Sequence, residues 1–180
     1  MLTGKSTKLR EYREEDLPVL IQMMNDEEAR ANTTRGVITP MTGEMVRQYF
    51  ASGENQENFH YMVEDKADNL IGFIEVQNAF KDRRCQITFQ IKPSEQGKGY
   101  GSDALDLILT MAFLEMNMNK CTTTILAFNQ AAFNILTRAG FQKEVTLRDD
   151  VYRRGTFHDA FVMGLLKEEY LQRPQEAEPK

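Results

Sequence analysis

An α/β fold with a mixed sheet, α+β in its strand order, is predicted by three features of this sequence. The first is an alternating strand pattern, Cys85 to Ile91. It passes through a glycine-rich stretch into a long apolar helix pattern and then a Thr- and Ile-rich strand, Cys121 to Phe128. A strand–helix–strand connection of this length is the ordinary parallel crossover. The second is a succession of strand patterns, Phe59 to Glu64, Leu70 to Gln77 and the one just named, joined by short turn-forming segments. The third is apolar spacing of i, i+3, i+4, i+7 in segments before this succession and again after the crossover. The coarse order βααβββαβαββ gives a single domain, residues 1–173, with helices on both sheet faces. A polar, disordered tail, 174–180, is expected to follow.

Each element has a local reason. Lys8 to Tyr12 reads as a short first strand. Glu14-Glu15-Asp16 opens a helix, acidic in its first turn and tolerant of Pro18 there, with Leu17, Leu20, Ile21 and Met24 on one face. Asn25-Asp26-Glu27-Glu28 ends it, and the run to Thr39 has no clear period and reads as loop or loose helix. Pro40 opens a second helix with Met45, Val46, Tyr49 and Phe50 on one side, stopped by Ser52-Gly53-Glu54-Asn55. Asp65 to Asn69 and Lys81 to Arg84 supply turns. Cys85, Ile87, Phe89 and Ile91 share one face of their strand; Gln86, Thr88 and Gln90 share the other, which meets either substrate or solvent.

The helix after the glycines carries a narrow polar stripe, Asp103, Asp106, Thr110 and Asn117, and is otherwise apolar enough to pack centrally. Asn129 suits an N-cap, Ala132, Ile135, Leu136 and Ala139 one buried face, and Gly140 the residue past the helix end. Phe141 to Asp150 and Asp159 to Leu166 read as final strands around Arg153-Arg154-Gly155, and Lys167 to Arg173 as a short helix.

Composition narrows the function. The 180 residues are 41% hydrophobic and carry a formal net charge of -5, against a broad nucleic-acid footprint. Neither a run long enough to span a bilayer nor a signal-peptide core at Met1 to Arg10 is present. Cys85 and Cys121 read as reduced core residues, which predicts a cytoplasmic protein, and no His/Cys cluster has metal-ligand spacing. His60 and His158 read as structural. Asp26-Glu27-Glu28 reads as a solvated helix end, although it could attract an amine, and the ten methionines read as core filler.

The chemistry concentrates at Gln96-Gly97-Lys98-Gly99-Tyr100-Gly101-Ser102. Bare glycine backbone followed by a helix N-terminus offers unpaired N–H groups and a positive dipole end to a phosphate. A nucleotide P-loop is excluded, because Lys98 is followed by Gly99 and not by a magnesium-holding hydroxyl. The spacing G-x-G-x-G also misses the dinucleotide G-x-G-x-x-G. The pyrophosphate of coenzyme A is the third ligand of this kind, and the order Gln-Gly-Lys-Gly-Tyr-Gly resembles the acyl-CoA loop Q/R-x-x-G-x-G/A of the GNAT superfamily of N-acyltransferases. Asn129 to Phe141 is similar to that family's N-x-x-S/A-x-x-x-[LY]-x-x-x-G-F. Gly155 to Asp159 with Leu165 to Tyr170 resembles the last hairpin of two branches, the ribosomal-protein N-terminal acetyltransferases and the bacterial spermidine acetyltransferases. Phe59 to Glu75 looks like the spermidine branch. The resemblance spans about residues 8 to 170.

That resemblance implies acetyl-CoA as co-substrate, no metal, and transfer of acetyl to a primary amine by direct attack in a ternary complex. The acceptor would be a polyamine, another small amine or a protein N-terminus. Apart from the resemblance, composition speaks against nucleic-acid and membrane partners, and a β-edge near the last hairpin is a place where two chains could pair as a homo-oligomer. The resemblance also implies pyrophosphate on Gln96, Gly97, Lys98, Gly99, Tyr100, Gly101 and Ser102, and the pantetheine arm beside backbone groups of Gln90, Ile91 and Lys92. The Ile91 N–H would polarise the thioester carbonyl, and Asn129 and Phe133 would flank the arm. The position where relatives carry an acidic Tyr is Leu136, and a frequent carboxylate position is Gln86, neither of which can exchange a proton. Glu75, in an apolar strand where burial would raise its pKa, is the remaining candidate base, and Tyr152 a more remote candidate. A non-catalytic acyl-CoA-binding module is the alternative reading.

Overall fold

The strand patterns and helix patterns assemble as one eight-stranded sheet with helices on both faces, seen in a computed structural model that describes residues 1–51, 58–77 and 81–173. The elements are β1 (Leu2–Thr3), β2 (Thr7–Arg10), α1 (Leu17–Asn25), α2 (Glu27–Thr33), α3 (Gly43–Ala51), β3 (Phe59–Asp65), β4 (Leu70–Gln77), β5 (Arg84–Ile91), α4 (Tyr100–Thr110), β6 (Lys120–Leu126), α5 (Gln130–Arg138), β7 (Gln142–Arg153), β8 (Thr156–Leu166) and α6 (Lys167–Gln172). The sheet order is β1-β2-β3-β4-β5-β6-β8-β7. Every neighbouring pair is antiparallel except β5 and β6, joined in parallel by the α4 crossover.

Two apolar layers hold the helices. Ile74, Val76, Cys85, Ile87 and Ile91 meet Leu105, Ile108, Leu109 and Phe113 of α4 and its π-helical extension, with Leu136 of α5 in the same cluster. On the other face Leu20, Met23, Val46 and Phe50 of α1 and α3 pack on Met62, Leu70 and Phe73. Cys85 and Cys121 stand opposite each other in the parallel pair as buried free thiols, their Sγ atoms 3.4 Å apart.

Several expectations need correction. A first strand β1 precedes the expected one, pairing Leu2 with Leu9. Of the two readings of the run after Asn25, loop or loose helix, the helix holds for α2, whose N-cap Asp26 accepts from Ala29 N at 2.7 Å; it buries Ala29. The second long helix begins at Gly43 and not at Pro40. Its proposed stop at residues 52–55 and the tail 174–180 lie outside the described residues. The polar stripe of α4 holds the segments at residues 5–7 and 170–173. Asp103 accepts from the backbone N–H groups of Lys5, Ser6 and Thr7, Asp106 meets Arg173 at 2.9 Å, and Thr110 meets Tyr170 at 3.0 Å. Among the described residues no helix is long and apolar enough to cross a membrane.

Candidate active site

The parallel pair comes apart soon after it forms. β5 and β6 are in register only at Arg84–Lys120, Cys85–Cys121 and Gln86–Thr122. Beyond that, β5 stays on β4 as far as Ile91, and β6 stays on β8 as far as Leu126. Each strand keeps its outer ladder, so the inner edges of residues 87–91 and 123–126 open a gap between them. A sheet edge with unpaired N–H and C=O groups is a template for an extended polar chain.

Backbone alternation decides which groups face that gap. Lys92 N donates to Ile71 O at 2.8 Å, so the even-numbered N–H groups of this stretch point to β4. Phe89 and Ile91 therefore turn their N–H groups toward the gap, while those of Gln90 and Lys92 point to β4. The Gln90 side chain instead donates to Met23 O of α1 at 3.2 Å. Gln96 Nε2 donates to Ile91 O at 3.0 Å and ties the loop to the strand end.

The gap opens onto a cavity of about 370 Å³ whose walls include Thr88 to Ile91, Thr123 to Ile125, Asn129, Gln96, Gly97 and Gly99 to Ser102. That size suits a small-molecule cleft. Gly97 and Gly99 have φ of +76° and +85°, where side-chain-bearing residues are strained, and Gly99 caps α4 with Asp103 N bonded to its carbonyl at 3.1 Å. Nothing lies within 4 Å of a Cβ added at either position, so these glycines are needed for their conformation, not for packing room. Ala29, Asn32 and Thr33 of α2 also line the cavity, as do Ala131, Ala132, Ile135 and Arg138 of α5.

The α2 wall is fastened from several sides. Asn129 accepts from Ala132 N at 3.1 Å, its capping role, and donates to Asn32 O at 3.0 Å. Arg35 makes two hydrogen bonds to Asp150, both 2.9 Å, and Arg153 donates to Thr34 O and Gly36 O. Sequence reasoning missed this wall because α2 has no apolar period to announce it. It also missed Arg138, for which the spacing 131, 135, 138 on α5 was an available signal.

Glu75 stands one strand from the gap and does not line the cavity; its register partner Thr88 does. Its carboxylate accepts from Tyr49 Oη at 2.7 Å, Gln77 Nε2 at 2.7 Å and His60 Nε2 at 3.2 Å. Burial pushes its pKa up, but these three hydrogen bonds outweigh burial and hold it below the ordinary carboxylate value. This reverses the expectation that burial would raise it. His60 accordingly has a specific partner, and burial next to the Glu75 charge pushes the Tyr49 phenol well above its ordinary range.

Other candidates lie elsewhere. Phe133 packs on Phe161 and is not part of the cavity wall; Lys98 turns to Glu95 at 2.8 Å; Lys92 is also off the wall. Tyr152 is 57% exposed at the hairpin end against Phe157, and Leu136 is buried in the core. Asp26-Glu27-Glu28 forms the cap and first turn of α2.

One close approach is worth a mutation. A Cβ on Gly72 would lie 2.4 Å from Gln90 O and 2.7 Å from Ile91 Cδ1. Gly72→Ala must therefore displace the strand end that frames the gap. We expect a loss of about 1–3 kcal/mol by chemical denaturation, and an affinity for the cavity ligand reduced about tenfold or more. Wild-type values of both would show that this strand end is free to shift.

A mixed sheet whose parallel pair splays beside a glycine loop brings a strand edge and a helix N-terminus into one cavity. The chain belongs to the acetyltransferase (GNAT) domain family, whose model matches residues 7–142, and is an N-acetyltransferase. It is 26% identical over 172 residues to the SPbeta prophage-derived uncharacterized N-acetyltransferase YokL of Bacillus subtilis, covering 93% of this chain and 94% of that one. It is 28% identical over 116 residues to the spermidine N(1)-acetyltransferase of Vibrio cholerae, covering 64% and 67%. The solved structure of a Vibrio cholerae spermidine N-acetyltransferase in complex with CoA and spermine superimposes with a TM-score of 0.84 at 21% identity, over 92% of this chain and 98% of that one. At that identity the likeness is one of fold.

Proposed function

We propose that this enzyme transfers the acetyl group of acetyl-CoA to a primary amine by direct attack in a ternary complex. The observation that carries the reading is the unpaired inner edge of β5, opening directly onto the Gly97–Ser102 loop. The pantetheine amides pair with the Phe89 and Ile91 edge, the pyrophosphate takes the N–H groups at the head of α4, and the Ile91 N–H supports the developing oxyanion. Holding both reactants in one cleft supplies much of the rate. A small amine is favoured as acceptor by the spermidine acetyltransferases among the similar proteins.

Glu75 serves this reaction as a fixed anion. Its depressed pKa leaves it ionised throughout the neutral range, where it favours an amine or ammonium group close to Thr88 over bulk solvent. Glu75→Gln should lower turnover tenfold or more, since a unit charge one strand away acts through about 1–2 kcal/mol. CoA affinity should be unchanged. Between pH 6 and 9 the rate profile should fall in parallel, its rising limb belonging to the acceptor amine. A limb near neutral pH that disappears in Glu75→Gln would make Glu75 the base and contradict its present environment.

The decisive experiment is release of free CoA thiol from acetyl-CoA against spermidine, spermine, small alkyl and aryl amines, aminoglycosides and short peptides with free N-termini. Turnover with one member establishes the acceptor class. Tight acetyl-CoA binding without turnover would place the acceptor outside this panel and overturn the small-amine reading.

A further inference from the structure

The charged residues lining the cavity are Glu95 and Arg138. Glu95 is engaged by Lys98 at 2.8 Å, so the loop's own cation is committed to a carboxylate. Arg138 is exposed, and no hydrogen bond or ion pair engages it among the described residues. It projects from the last turn of α5, one turn beyond Ile135. α5 lies close to the head of α4, because a Cβ on Gly101 would sit 3.5 Å from Ile135 Cδ1. An uncommitted guanidinium thus stands near the phosphate-binding helix terminus without being part of it.

Coenzyme A carries its phosphates in two places, the pyrophosphate and the ribose 3′-phosphate. The strand gap and the α4 terminus account for the arm and the pyrophosphate. The adenosine end has the remaining wall, and a planar guanidinium fork matches a terminal phosphate in geometry and charge. We propose that Arg138 binds the ribose 3′-phosphate and makes the enzyme discriminate CoA from its 3′-dephospho form. The proposal rests on the acetyl-CoA reading given above.

The test is calorimetric binding of acetyl-CoA and of 3′-dephospho-acetyl-CoA to the wild type, Arg138→Gln and Arg138→Lys, with thermal midpoints to verify folding. The wild type should prefer acetyl-CoA by tenfold or more. Arg138→Gln should bring acetyl-CoA down to the dephospho affinity while leaving the dephospho form within about twofold, and Arg138→Lys should restore part of the preference. Equal wild-type affinities, a preference that survives Arg138→Gln, or an equal loss for both ligands would each overturn the assignment while leaving the acetyl-CoA reading standing. Failure of the wild type to bind either ligand overturns that reading instead, and this inference with it.

Discussion

Gly99→Glu should abolish acetyl-CoA binding, by a factor of several hundred, in a protein that still folds. Two effects act together. A side chain at φ +85° adopts a left-handed conformation that costs about 1–2 kcal/mol. A carboxylate then stands against the pyrophosphate, and one like-charge pair at about 4 Å is worth about 4 kcal/mol at an effective dielectric of 20. Nothing lies within 4 Å of the added Cβ, so the fold is not displaced. Gly99→Asn separates the effects, since asparagine tolerates the left-handed region and carries no charge; it should keep binding within about tenfold. Calorimetry on both variants checks this. Wild-type affinity in a folded Gly99→Glu protein would show that the coenzyme does not use this loop.

The loop was legible because its local and global signals agree. Period-2 alternation to Ile91, glycines, and a helical period from Ser102 can be satisfied together only by a strand-to-helix connection. The parallel pairing was legible from the length of the crossover. The splay was not. It arises because β6 is claimed along its length by β8, and β5 by β4, and neither claim is written in β5 or β6 alone. Glu75 was legible as a polar residue in an apolar strand, but its state depended on Tyr49 from a helix and His60 from the facing strand. The β3–β4 hairpin pairs His60 with Glu75 directly, yet a bulge at Val63/Glu64 shifts its register, so counting back from the turn misplaces the partner. The α2 wall and Arg138 are tertiary facts: capping at Asp26 and helix–helix proximity put them at the cavity.

Arg10→Met should destabilise the fold by about 3–5 kcal/mol, the cost of leaving buried carboxylates without their cation. Arg10 of β2 meets Asp16 through two 2.7 Å hydrogen bonds and Glu64 of β3 at 2.6 Å, and the three residues are 7%, 4% and 5% exposed. The Arg10 pKa is raised far above its ordinary value by the Asp16 hydrogen bonds, against the opposing effect of burial. For a chain of this size that loss lowers the melting temperature by about 10–15 °C. Asp16 also accepts from Arg13 N at 2.8 Å, so the triad fixes the turn that launches α1 from the sheet. Met23 of the same helix receives Gln90, and α2 follows directly, which links a buried ion cluster to two walls of the cavity. Combining Arg10→Met with Glu64→Leu removes one stranded carboxylate and should recover about 1–2 kcal/mol, as expected when an ion pair is replaced rather than broken. Urea denaturation of both variants reads the difference. A melting temperature within 3 °C of wild type for Arg10→Met would mean that the carboxylates find water or protons there, and that α1 is held by its apolar face alone.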